Sequence, residues 1–198
     1  MNNEPALSVE TAEIIYEKPA SGEFTELLFG SDRGNTLWVR FADRDGVQEW
    51  VGKFGCGIRT VMRVTKTAAP GVYIIVAGGF AYVLDATTRQ LLNHYCDSSA
   101  EDIVYDTVTN QFIAADTHLQ IIENGREIWR SRRIALDGVY GMSIEGRILA
   151  GNAVTGYEGE AEPFAMNLDT REFIKASTIF SDYQIPVPAK KPWWQFWR

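Results

Sequence analysis

A chain of 198 residues with 45% hydrophobic and 23% charged side chains has the make-up of one globular domain, and no stretch approaches the roughly 18 uninterrupted apolar residues that cross a membrane. The formal charge of −7 argues against nucleic acid, where a basic face supplies most of the affinity, and suits a basic partner. Two cysteines, Cys56 and Cys96, without CxxC spacing make neither a disulfide framework nor a zinc site and read as small buried hydrophobes.

The N-terminus, Met1-Asn2-Asn3-Glu4-Pro5, has no basic region, apolar core or small-residue cleavage site, so a cytoplasmic location is expected. Residues 8–17 fit a short helix or, through Ile14-Ile15-Tyr16, a strand. A first, irregular group of strands is predicted at 24–29, 36–41 and 47–51, joined by Asp32-Arg33-Gly34-Asn35 and Asp43-Arg44-Asp45-Gly46.

Three regular units follow at a period of about 37 residues. In the first, residues 72–79 lead into 80–85, then through Ala86-Thr87-Thr88 into 89–92. The second runs through 111–116 and 119–122, turns at Asn124-Gly125, and ends in 126–129. The third has 147–152, an inserted loop, 164–169 and 170–174. Asn-Gly tolerates the positive φ angles of a two-residue hairpin, and Asp or Thr side chains accept backbone NH groups in longer turns. A more polar strand precedes each unit, at 60–67, 102–107 and 139–144, giving about four strands per unit.

A run ending in Ala77-Gly78-Gly79, then one closing on Leu84-Asp85 and a polar turn, resembles the blades of β-propellers of the WD or quinoprotein-like kind. The resemblance covers about residues 58–177 and is general, because the Gly-His and Trp-Asp signatures of WD repeats and the tryptophan docking pattern of quinoprotein blades are missing. No functional residue carries over. It implies an all-β fold of antiparallel three- or four-stranded sheets, a small or partial propeller, with a β-sandwich of related hairpins as the alternative. A ring of six or seven blades does not fit this length. Residues 1–184 form one domain in this reading, and 185–198 a tail.

Material for chemistry is sparse. His94 and His118 stand in or beside strands outside any HxxxH or HxH spacing, and nucleophile elbows and phosphate loops are absent. No catalytic residue, metal or cofactor is assigned. The inserted loop 155–163 carries Tyr157, Glu158, Glu160 and Glu162 and is the first choice for a recognition element, since function gathers on loops held by a rigid scaffold. Arg126, Arg130, Arg132 and Arg133 cluster beside Trp129 and are read as partners of nearby acids. The tail joins a polyproline-like spacer, residues 185–192, to Trp193, Trp194, Phe196 and Trp197. Four aromatics at about 150–250 Å² each must dock somewhere. The choices are the chain's own sheets, a partner, another subunit or, least favoured, a membrane interface. Its Lys-Pro-Trp-Trp ending resembles those of assorted small bacterial proteins.

These observations favour a non-enzymatic cytoplasmic module that binds another protein, with an immunity protein against a basic bacterial toxin as its sharpest form. Two alternatives stand beside it. One is a small hydrolase or lyase gathering Asp85, Asp106, Asp116 or Asp169 around a metal. The other is an assembly subunit that oligomerises through the tail.

Overall fold

The computed structural model describes residues 9–20, 22–96 and 100–179, without the Cys96 side chain. Its described elements are sixteen strands in four four-stranded sheets. The first sheet holds β1 (Val9–Ile15), β2 (Thr25–Phe29), β3 (Thr36–Asp43) and β4 (Glu49–Gly55) in the order β1-β3-β4-β2. The ambiguous segment around Ile14 is thus a strand, antiparallel to β3 from Val9↔Asp43 to Ile15↔Trp38. The irregularity of this first group has a cause: β2 leaves the meander and lies parallel to β4 on the outer edge.

The other three sheets are meanders. They comprise β5 (Met62–Lys66), β6 (Val72–Ala77), β7 (Phe80–Asp85) and β8 (Gln90–Cys96); then β9 (Asp102–Asp106), β10 (Gln111–Ala115), β11 (Leu119–Glu123) and β12 (Arg126–Arg130); then β13 (Val139–Glu145), β14 (Ile148–Val154), β15 (Ala161–Asn167) and β16 (Phe173–Lys175). Their turns follow the residues. Asn124 and Gly125 both have positive φ, as a two-residue hairpin with strand-matching twist requires. A longer turn recurs three times. Asp85 accepts the amides of Thr87 and Thr88, Asp106 that of Val108 with the Thr109 hydroxyl, and Asn167 those of Asp169 and Thr170. Each closes on a left-handed residue, Arg89, Asn110 or Arg171.

Three buried clusters join consecutive sheets. Phe29, Phe41, Trp50 and Phe54 of the first meet Tyr73, Ile75, Tyr82 and Leu84 of the second. Ile74, Val76 and Val83 on the second sheet's other face meet Ile103, Phe112 and Ile122. Ile113, Leu119 and Ile121 meet Leu149, Phe164 and Met166 of the fourth. The two middle sheets are therefore buried on both faces, and β6, β7 and β10 carry unbroken apolar runs. The end sheets bury one face, and β14 alternates strictly. No cluster among the described residues joins the first sheet to the fourth. With β1 beside β5 and β9 beside β13 along the inner edge, the fold is an open, partial propeller-like array rather than a two-layer sandwich.

Candidate functional site

The inner strands β5, β9 and β13 begin at the same end of the array, and an open cleft of about 380 Å³ lies between their first residues. Its floor is organised by Asp102, only 2% exposed. One carboxylate oxygen accepts Arg63 Nη2 from β5 at 2.9 Å and the Ile103 amide at 2.8 Å; the other accepts the Met142 amide from β13 at 2.8 Å. Arg63 also donates to the Ile103 carbonyl. Met142 is free to do this because a bulge between Tyr140 and Ser143, with Gly141 left-handed, breaks the β13–β14 ladder there. A single buried carboxylate thus ties three consecutive sheets together. Beside it Arg59 pairs with Glu101 at 2.6 Å.

The cleft's rim is different in kind. Met62 and Tyr140 line it, 45% and 50% exposed, and Ile58 on the connector before β5 is 80% exposed. That connector is clipped to the β6–β7 turn, with the Arg59 amide donating to the Gly78 carbonyl and the Gly78 amide to the Val61 carbonyl. Asp137, also lining the cleft and exposed, has no bonded partner among the described residues. Apolar surface and an unpaired carboxylate therefore surround a floor held by buried hydrogen bonds.

The loop selected from sequence opens at this same end. It is a tighter hairpin than expected, because β15 already includes Ala161, Glu162 and Pro163. The Glu160 carbonyl accepts the amides of Thr155 and Gly156, and its carboxylate accepts the Glu158 amide. Tyr157 stands at the tip, 95% exposed, and Glu158 is exposed beside it. Glu162 is tied down by the amide and hydroxyl of Thr178 and the hydroxyl of Thr155; the Thr178 bonds hold its carboxyl below the ordinary range. Trp193, Trp194, Phe196 and Trp197 lie outside the described residues.

The other candidates stand apart. Asp85 and Asp106 cap turns at the end opposite the cleft and Asp169 stands in the turn capped by Asn167 at that end, whereas Asp116 follows β10 at the cleft end. The length of β10, five residues at about 3.3 Å each, separates Asp116 from the other three, too far for one ion whose ligands stand at about 2.3–2.6 Å. Arg147 draws two of them together, bonding Asp106 at 2.7 Å and Asp169 at 2.8 Å. Burial pushes the Asp106 carboxyl up, but Thr109, Arg147 and the Val108 amide outweigh it and leave it below the usual range. His118 Nδ1 lies 3.0 Å from the Thr117 hydroxyl, and His94 is exposed. Arg130 pairs with Glu127, and Arg133 binds the carbonyls of Ala135 and Leu136. Cys56 packs against the first core, and burial raises its thiol. Among the described residues no three His, Cys, Asp or Glu side chains are grouped to hold a metal.

Sequence reasoning missed Asp102, Arg63, Asp137 and Tyr140. The one available signal was an acidic pair, Glu101-Asp102, opening a strand whose other residues are buried or half-buried.

These features define a general class: a propeller-like β protein with its cleft at the axial end. No family model matches the chain, and no curated protein does. Among solved structures it is similar to the WD40 domain of Pan2 from Neurospora crassa, with 9% identity over 74% of this chain and 49% of that one and a TM-score of 0.47. It is also similar to BamB from Moraxella catarrhalis, with 13% identity over 86% and 56% and a TM-score of 0.44, and to the WD40 β-propeller domain of Doa1, with 14% over 85% and 71% and 0.41. The chain spans about half the length of the first two.

Proposed function

We propose that this protein is a non-enzymatic binding module, acting in the cytoplasm, that holds a segment of another protein at the axial cleft and the Tyr157 hairpin. The observation that carries the reading is the rim: Met62 and Tyr140 expose apolar surface in a cleft shared with Asp137, which has no bonded partner among the described residues. Apolar anchors over a pre-organised floor are what protein interfaces use at their centres, and a fixed floor spares the ordering cost of association. The unpaired carboxylate and the net charge of −7 favour a basic segment. A basic bacterial toxin, with this chain as its immunity protein, is the sharpest form.

The test is co-purification of tagged full-length protein from host lysate, comparing the unaltered chain with Tyr140→Ala/Asp137→Lys and with Val108→Lys, which alters an exposed turn at the opposite end. A stoichiometric basic protein, retained by the Val108 variant and reduced about tenfold or more by the cleft variant, supports the reading. Retention by the cleft variant, or no partner at all, sinks it.

A further inference from the structure

Among the described residues, the two end sheets each leave one face without a neighbouring sheet, and the faces differ. On the first, the pairing aligns Glu13, Arg40, Val51 and Glu26 in one row and Ile15, Trp38, Lys53 and Leu28 in the next. Arg40 pairs with Glu13 at 2.9 Å and Lys53 lies over the Trp38 ring, so this face carries charged side chains around a fully buried Val51. On the fourth, the central strands present Ile148, Ala150, Asn152 and Val154 beside Ala161, Pro163, Ala165 and Asn167. No charge stands among them; the charges, Glu145 and Lys175, are on the flanking strands. Small residues in its middle rows make that floor flat.

The geometry points to the chain's own residues 190–198 as the cover of this face. The described chain ends at Ile179 on the seam side of the fourth sheet, where Ser177 is buried against the Ile134 carbonyl and Thr178 is bonded to Glu162 of β15, so the tail rounds the sheet to reach this face. From there Trp193 has a reach of up to about 46 Å, against strands of about 23 Å spaced about 4.8 Å apart. Two or three aromatic side chains, at about 150–250 Å² each, suffice to cover the central strands, and Ala150 and Ala165 let rings lie flat. Tethering gives the segment an effective concentration that an untethered competitor must exceed. The absence of charge from the floor fits a mainly apolar cover, and Lys190, Lys191 and Arg198 flank the aromatics where their charges can stay in water.

The experiment uses the full chain with Trp194→p-benzoyl-phenylalanine, irradiated at low protein concentration and mapped by mass spectrometry. The expected product has the mass of one chain, with the cross-link in the stretch 148–154 or 161–167. Ala150→Glu or Ala165→Glu, each checked for unchanged circular dichroism, lowers its yield about tenfold, because a carboxylate buried under the rings lacks a partner. A cross-linked dimer assigns the tail to a second copy, a cross-link elsewhere assigns it to another surface, and no cross-link leaves the face bare. Each overturns the inference, and each is read from the chain with an unaltered floor.

Discussion

Asp102 and Asp106 bracket one five-residue strand, and their environments give them different work. Asp102 is buried and accepts bonds from three sheets, so Asp102→Ala leaves the Ile103 and Met142 amides and the Arg63 guanidinium without it. Arg63 keeps about a third of its side chain exposed, so the loss is set mainly by the two orphaned buried amides, at about 1–3 kcal/mol each. Urea unfolding should show a loss of that size, and under about 1 kcal/mol would make the node dispensable. Asp106 is acid-sensitive: its folded pKa lies below its unfolded value, so its stabilisation is present above the ordinary aspartate value of about 3.9 and fades as pH falls through the lower, folded value. Asp106→Asn should flatten the acid limb of a stability–pH curve and lower the plateau at neutral pH. Neither role was legible from sequence, where Asp106 stood only among acids for a metal. Arg63, Met142 and Arg147 lie about 40 positions away, and no local pattern records such pairings.

At the level of strands and turns much more was legible, because turn chemistry is local. Asn124-Gly125 and the Asp/Thr turns could be read directly, since each needs only its own residues. The left-handed residue closing the longer turn is not readable this way, for in sequence Arg89 and Arg171 look like the start of the next strand. Arg171 is exposed at φ +61°, a conformation that costs a non-glycine residue about 1 kcal/mol or slightly more. Arg171→Gly should therefore raise the urea midpoint by up to about 0.3–1 M with an unchanged slope. The inserted loop was drawn too long because Glu162 and Pro163 look like loop residues. Proline is accepted in β15 because β16 covers only Ala165 and Met166, so Pro163 lies on an uncovered edge. Gly52 is the opposite case, a strand glycine required by packing. A Cβ there would stand 2.5 Å from the Phe54 ring and 3.2 Å from Phe41, both fully buried. Gly52→Ala should cost about 1–3 kcal/mol, visible as a lower melting temperature.

Across the whole molecule, the number of neighbours each sheet has is written in its strands. Unbroken runs such as Val72–Ala77 belong to sheets covered twice, and the alternation of Ile148–Val154 belongs to a sheet covered once. Sequence alone does not assign these faces, because Ile148–Val154 alternates in burial and not in residue type, and which sheet lies against which is a long-range fact. The displaced β2 was beyond it for the same reason. Stability in such an array is a sum over sheets and nearest-neighbour seams. Native-state hydrogen exchange should therefore find the β6, β7, β10 and β11 amides slowest and those of β1 and β16 fastest; equal protection throughout would mean that the ends are closed by something else.

A linear array also has a direction in time. On a ribosome the first sheet emerges with Phe41, Trp50 and Phe54 complete, yet their cover, Tyr73, Ile75, Tyr82 and Leu84, follows about 20 to 40 residues later, a delay of roughly 1 to 8 s at the usual pace of synthesis. For that interval the richest aromatic surface of the protein faces water. The vulnerable moment of this fold thus falls early in its manufacture, and a chaperone that shields nascent chains would find its target in the first sixty residues or so.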